Sequence, residues 1–512
     1  MPRKAAVLLA VLLALLIGLH LAFRPPPLEG RAASAAVQAS AETPSGRLAL
    51  AGPEGLSGVL PLIEGPEAFA ARVALIRGAA QALDVQYYIW QRDATGLILL
   101  DELRRAAERG VRVRLLLDDN GIAGLDADLA ALDALAGVEV RLFNPFILRR
   151  PKVLGYAFDF VRLNRRMHNK SLTADGAISI LGGRNIGDIY FAFGEGVHYI
   201  DTDVLVAGPA AHDVGADFDR YWASGSAYPA ELILPRAEGD ALARLVADAE
   251  AAARTPEGRL YAERLARSDV LAAIGAGLQV LEWTRVALVS DDPAKGLGQA
   301  RVDDLLFPQL MALLARPGSS VDLVSAYFVP GRRFTEALAG LARSGTRVRI
   351  LTNSQAATDV ILVHGAYVKY RPDLLAAGAE LYELKPGFAA NPEKEDRAPI
   401  GGSSRASLHS KIMAVDGRAV FIGSFNFDPR SFELNTEMGV LIDSPRLAAG
   451  LSAAFATTFR GASYRLSLQD RALAWEETAA GEALRHGKEP GAPPFSRLLL
   501  ALVGLLPIEW LL

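Results

Sequence analysis

Two stretches of the chain share one order of apolar and polar positions. Residues 82–119, "ALDVQYYIWQRDATGLILLDELRRAAERGVRVRLLLDD", pass from a β-branched and aromatic run to an amphipathic stretch and then to a second apolar run. That order predicts strand, helix, strand. Residues 320–354, "SVDLVSAYFVPGRRFTEALAGLARSGTRVRILTNS", repeat it, with "GTRVRILT" answering "GVRVRLLL". The spacing implies a right-handed parallel crossover, hence an α/β fold in which helices cover a largely buried sheet.

Each crossover is followed by the same pattern, H-x-K-x4-D-x6-G-[GS]-x-N, once from His168 to Asn185 and once from His409 to Asn426. A single H-x-K is common on strand surfaces, but two complete copies in a duplicated frame are not chance. Farther on, "YIDTDVLVAGP" (199–209) aligns with "NTEMGVLIDSP" (435–445), setting Asp201 opposite Glu437 and Pro209 opposite Pro445. One supersecondary unit therefore occurs twice.

The motif suits phosphate. His and Lys two apart on a strand share a face. The runs "AISILGG" and "AVFIGS" predict the next strand, ending in the small residues Gly183 and Ser424, with Asn185 and Asn426 as amide donors. Brought together, the halves supply two imidazoles and two ammoniums to one pocket. One imidazole can attack phosphorus while the other, protonated, delivers a proton to the leaving alkoxide. Lys170 and Lys411 would neutralise the non-bridging oxygens, donors of this type being worth about 3 kcal/mol of barrier, so neither metal nor cofactor is called for.

Such an imidazole needs a carboxylate on its other nitrogen to set the tautomer, and Asp201 and Glu437 are the candidates. His168 lies 33 residues before Asp201 and His409 28 before Glu437, so the first half holds an insertion around "YFAFGEGVH". Asp203 is the alternate partner if that loop displaces Asp201, and the choice of nucleophilic histidine turns on the same point. Asp175 and Asp416 are read as fastening the turn after each motif.

Composition bounds the rest. The 512 residues, 51% apolar, can bury a large core. A net charge of −4 leaves no overall basic footprint and disfavours broad nucleic-acid binding. No cysteine is present, which excludes disulfides, thiolate metal sites and a cysteine nucleophile. Ala5 to Phe23, interrupted only by His20, is long enough to cross a hydrocarbon layer. It reads as a retained anchor in preference to a signal cleaved near "RAASAA" (31–36), with the body exported in either case.

The organisation expected is an anchor or signal over 1–24, a flexible Pro/Ala/Ser-rich linker over 25–50, a first half over 51–225 and a helical connection over 226–300. A second half over 301–465 and a tail over 466–512 with an apolar end follow. Three features stay open between a site and a bland surface. They are His198 near Asp201, the cluster of His364, Tyr367, Lys369, Tyr370 and Arg371, and the arginines at 149–150 and 162–166, which could steer anionic lipid.

The duplicated motif with its G-[GS]-x-N tail resembles the phospholipase D superfamily over both halves. Within it, "SQAATDVILVHGAYVKYRPDLLAAGAELYELKPG" (354–387), "FIGSFNFDPRSFELNTEMGVLI" (421–442) and the closing "LLPIEWLL" are similar to bacterial cardiolipin synthases of the C type. The resemblance implies two pseudo-symmetric halves, each a mixed, mostly parallel sheet covered by helices, with the active site at their interface. It implies His168, Lys170, Asp175 and Asn185 with His409, Lys411, Asp416 and Asn426 as the site, His168 being the nucleophile and His409 the acid. It further implies transfer of a phosphatidyl group through a phosphohistidine to phosphatidylglycerol, with phosphatidylethanolamine among the candidate donors, on the periplasmic side of a bacterial inner membrane. Hydrolysis to phosphatidic acid is the first alternative. A nuclease or other phosphodiesterase is the second, and the acidic balance and apolar ends argue against it.

Overall fold

The structure is a computed structural model. It describes residues 2–194, 196, 198–266, 281–314, 316–387, 406–470, 472–479, 482–491 and 509. Each half is built on one sheet. The first runs, edge to edge, Glu282–Thr284, Ser57–Leu62, Asp203–Ala207, Ile178–Gly182, Ser171–Ala174, Ala82–Ile89, Arg112–Gly121, Val138–Phe143 and Ala227–Pro229. The second runs Val286–Ser290, Met438–Asp443, Ala419–Gly423, Lys411–Val415, Ser320–Ser325, Arg347–Asn353 and Glu380–Leu384. It ends in a meander of Ser463–Gln469, Ala472–Ala479 and Glu482–His486.

The parallel crossovers stand where the pattern placed them, Ala82–Ile89 to Arg112–Gly121 and Ser320–Ser325 to Arg347–Asn353. The sheets are nevertheless not mostly parallel. Only one further pairing in each half is parallel, and the rest of both sheets is antiparallel. The motif strand and its successor are joined by Asp175-Gly176 (φ 52° and 60°) and by Asp416-Gly417 (φ 53° and 64°). These are Asp-Gly hairpin turns, too short for any crossover.

The two sheets meet face to face. Val59, Leu181, Val204 and Val206 of the first half pack with Ala414, Val420, Ile422, Met438 and Val440 of the second. Helices Pro209–Trp222 and Pro445–Ala456, each begun by the proline that the repeat aligned, border this shared core. The opposite face of the first sheet is covered by Gly65–Gly78 and Ala94–Glu108, with Phe69, Leu75, Leu99 and Leu103 buried.

Three expected segments differ from their sequence reading. The connection is helical over Ala241–Arg254 and Pro256–Ala266, but it then gives one edge strand to each sheet. Residues 25–50 are no free linker. Arg31 Nη1 donates to the carbonyls of Ser224 (2.7 Å) and Ala227 (2.8 Å), and the carbonyls of Ala32 and Ser34 receive the buried Arg141 and Arg114. Small residues allow this close approach, and their carbonyls satisfy guanidiniums that lack a full set of partners inside. Most of the tail up to His486 is sheet; its apolar end, apart from Glu509, lies outside the described residues. At the other end, Lys4–Ala22 is a helix long and apolar enough to cross a membrane.

The hairpin aspartates sit at the end of the motif strands away from the histidines. Asp175, fully buried, accepts the N–H groups of Ala80 (3.1 Å), Gln81 (2.8 Å) and Ala82 (3.1 Å) and the hydroxyl of Ser45 (2.5 Å). Asp416 accepts Gly318 (3.1 Å), Ser319 (2.8 Å) and Ser320 (3.0 Å) but is exposed. Asp175→Ala should therefore lower unfolding stability by about 3 kcal/mol, since buried donors lose their acceptor, and Asp416→Ala by about 1 kcal/mol, since water replaces the carboxylate. Urea unfolding of the two variants checks the difference.

Candidate active site

The two motif histidines come together across the interface, each held by a carboxylate of the other half. His168 Nδ1 lies 2.7 Å from Glu437 Oε2, and His409 Nδ1 lies 2.5 Å from Asp201 Oδ2. The expectation that each acid serves the histidine of its own half is corrected. Backbone pairing makes the exchange. His168 N donates to Thr436 O and His409 N to Ile200 O, both at 2.8 Å, so the residue just before each acid is bonded to the opposite motif. The insertion in the first half supplies this contact. Its strand His198–Ile200 runs parallel to Ala406–Leu408 and delivers Asp201 to His409. Asp203 is not an alternate partner, because it binds Arg72 Nη2 at 2.8 Å and the amide of Arg184 at 3.1 Å.

Lys170 and Lys411, both 1% exposed, curl toward the carbonyl of their own motif histidine, Lys170 at 2.6 Å. Lys411 Nζ also stands 3.0 Å from His409 Nδ1. The tail residues are less alike than the motif suggests. Ser424 is turned from the cleft and donates to Glu437 Oε2 at 2.5 Å, while Ser431 donates to Oε1 at 2.8 Å. Gly183 takes the corresponding place beside Asp201, where a Cβ would fall 2.1 Å from Asp201 Oδ1. Its role is room for the carboxylate. Asn185 is also committed to protein, accepting from Ile89 N (3.1 Å) and donating to Tyr190 Oη (2.9 Å). Asn426 Oδ1 is buried without a hydrogen-bond partner.

Electrostatics distinguish the halves. Burial, with Lys170, Lys411 and His409 nearby, holds His168 well below the usual imidazole range. Burial and Lys411 also lower His409, but Asp201 opposes them. Burial pushes Glu437 up to about 7 against Lys170 and its two serine hydroxyls. Burial would raise Asp201 too, but His409, Lys411 and Arg184 outweigh it and keep this carboxyl below its ordinary value. Lys170 is pushed down to about 7 by burial and by Lys411, with Glu437 opposing. One histidine thus faces a firmly ionised carboxylate and the other a carboxyl that titrates near neutrality.

Residues outside the motif complete the walls. Tyr88 meets the His168 ring edge-on (centroids 4.9 Å), and Tyr199 stacks on His409 (4.9 Å, 24°), flanked by Tyr190 and Tyr327. The hydroxyls of Tyr199 and Tyr327 both donate to Asp359 Oδ2, at 2.9 and 2.7 Å. The aromatic runs "QYYI" and "DIYF" hinted at Tyr88 and Tyr190, and "HYI" and "SAYF" at Tyr199 and Tyr327. The ring of His198 bonds Gly194 O at 3.2 Å.

The His364 cluster divides: His364, Tyr367 and Arg371 are buried, whereas Lys369 is exposed and pairs with Glu509. His364 and Arg371 are buried on Glu489 at 2.7 and 3.0 Å, Arg371 also binds Glu383, and Glu489 is drawn down to about 2 by His364 and Arg371 despite its burial. Three arginines of the two clusters are spent internally, while Arg150 is exposed. Arg166 pairs with Asp118, Arg149 with Asp119 and Asp126, and Arg162 with Asp159.

Comparison with known proteins agrees with this geometry. A family model described as cardiolipin synthase, PLD-like domain, matches twice, over 73–222 and 310–459. The cardiolipin synthase C of Escherichia coli (strain K12) is 45% identical over 460 residues, covering 90% of this chain and 97% of that one. An uncharacterized protein of Helicobacter pylori (strain ATCC 700392 / 26695) is 31% identical over 458 residues, with 88% and 89% covered. Among solved structures, the phosphatidylserine synthase of Haemophilus influenzae Rd KW20 shares the fold with a TM-score of 0.56 at 15% identity, covering 89% of this chain and 97% of its own.

The Glu437 environment sets a pH test. This carboxyl must be ionised to hold Nδ1–H of His168, so it sets an acidic limb on which phosphodiester turnover rises as pH approaches about 7, while Lys170, pushed down to about 7, and the acid His409 set the fall as they lose their protons. Glu437→Gln should cost about a thousandfold or more in rate and erase that acidic limb. Asp201→Asn should cost similar activity yet leave the limb in place, because Asp201 is ionised well below neutrality. Profiles of kcat/KM against pH decide between them.

Proposed function

The chain belongs to the cardiolipin synthase family with phospholipase D-like domains, and from that premise we propose that it transfers a phosphatidyl group from one phospholipid to phosphatidylglycerol, forming cardiolipin. The observation that carries the reading is the pair of cross-half imidazole–carboxylate contacts, which gather two histidines and two lysines into one site. The membrane-length helix Lys4–Ala22 supports a lipid substrate and a membrane location, with the catalytic body on the periplasmic side.

In the first step His168 Nε2 attacks phosphorus, the P–N bond forms, and the P–O bond to the donor headgroup breaks. His409 gives its Nε2 proton to the departing alkoxide. In the second step a hydroxyl of phosphatidylglycerol loses its proton to His409 and attacks phosphorus, and the P–N bond breaks. This division follows the electrostatics. His168 is held neutral and keeps a lone pair, whereas His409 beside ionised Asp201 takes a proton more readily. Glu437 and Asp201 fix the tautomers, and Lys170 and Lys411 face the non-bridging oxygens.

Purified protein given phosphatidylglycerol and phosphatidylethanolamine should form cardiolipin; phosphatidic acid as the sole product would replace this reading with hydrolysis. His409→Asn should trap acid-labile label from a brief pulse of labelled donor on the peptide containing His168. Label on the peptide of the second motif would reverse the two roles.

A further inference from the structure

The segment leading to the first histidine wears its surface inside out. Lys152–Gly155 forms a 3-10 turn and Tyr156–Leu163 a helix, and the chain then runs directly into the motif at His168. Within nine positions Val153, Leu154, Phe160 and Val161 are 68%, 54%, 40% and 71% exposed. The charges beside them are turned to protein. Lys152 Nζ binds Asp119 Oδ1 at 2.9 Å, and Arg162 Nε binds Asp159 Oδ2 at 2.7 Å. A water-facing helix of a soluble protein does the reverse. Single exposed apolar residues need no explanation, but a contiguous patch beside a buried charge network does.

The patch is continuous with the membrane-length helix. His20 Nδ1 donates to Phe158 O at 3.0 Å, and the Phe23 ring stacks on Phe158 with centroids 5.4 Å apart and planes at 28°. The end of that helix nearest the body therefore lands on this segment, at the depth where a spanning helix leaves hydrocarbon for headgroups. Phe and Val directed outward there meet acyl chains, and paired charges directed inward avoid them.

We infer that Lys152–Leu163 is a monolayer-penetrating segment, which inserts Val153, Leu154, Phe160 and Val161 into the bilayer beside the N-terminal helix and so opens the first motif at headgroup level. Its partner is a phospholipid bilayer. The inference deepens the lipid reading and takes its purpose from it, since a phosphodiester headgroup would reach His168 without leaving the membrane surface.

The chain has no cysteine, so Val161→Cys in the full-length protein takes one environment-sensitive fluorophore. In vesicles of phosphatidylglycerol and phosphatidylethanolamine, the label should be quenched by lipids brominated on the acyl chain and shielded from iodide in the water. Iodide quenching without bromolipid quenching would overturn the inference. Val161→Glu gives a second readout, the rate on vesicle phosphatidylglycerol divided by the rate on short-chain monomeric phosphatidylglycerol, in which any loss of folded protein cancels. That ratio should fall about tenfold, since a carboxylate opposes interfacial insertion; an unchanged ratio would overturn the inference. Were the wild type to form no cardiolipin, the proposed function would fail while the quenching result still decided this one.

Discussion

Reciprocal pairing of each motif histidine with a carboxylate of the opposite half is the contact on which the rest of the structure depends. An imidazole tautomer is set by whatever bonds its second nitrogen, and here that group arrives only when the sheets pack face to face. The backbone bonds from His168 to Thr436 and from His409 to Ile200 lock the acids into register. The apolar layer formed by Leu181, Val204, Val420 and Val440 holds the sheets together behind them. Neither half alone completes a site. The mutual charge of these buried groups offsets burial only in part: it outweighs burial at Asp201, whereas burial prevails at Glu437, Lys170 and the two histidines.

Pseudo-symmetry stops short of equivalence. Glu437 sits among Ser424, Ser431 and Lys170, two of them neutral, and burial prevails. Asp201 sits among His409, Lys411 and Arg184, and their positive charge prevails. The substitution of serine for glycine after the second motif strand belongs to the same difference, because the longer glutamate is reached by a hydroxyl and the shorter aspartate comes so close that no side chain fits. Two chemically different acids thus give two similar histidines different proton affinities.

The surroundings bind this centre to the rest of the chain. Asp359 holds two tyrosines that flank His409, and its loop is pinned by Gln355 N bonding Glu489 Oε1 at 3.1 Å. Glu489 in turn closes the buried network of His364 and Arg371, so a residue near the end of the chain supports a wall of the cleft. The N-terminal helix packs on the segment that precedes His168, through His20 and Phe23 against Phe158.

Local order was legible without coordinates. Periodicity placed both crossovers, the repeat aligned Asp201 with Glu437 and Pro209 with Pro445, and the H-x-K spacing marked each histidine and lysine at the entry to a strand, although the strands themselves begin only at Ser171 and Lys411. What repeats cannot express is which copy a residue touches. The exchange of acids between halves, the commitment of Asn185 and Ser424 to protein, and the recruitment of Tyr199, Tyr327 and Asp359 depend on contacts between segments far apart in the chain, as do the capture of residues 25–50 and the burial of His364 and Arg371. The antiparallel share of each sheet was open to turn chemistry at Asp175-Gly176 and Asp416-Gly417, yet the crossovers drew the reading toward parallel order. The amino-acid sequence by itself determined the two half-sites and their residue types, since these follow from short-range geometry. The tertiary structure alone decided how the half-sites complete each other, since hydrogen-bond partners and dielectric surroundings exist only once the two sheets are packed.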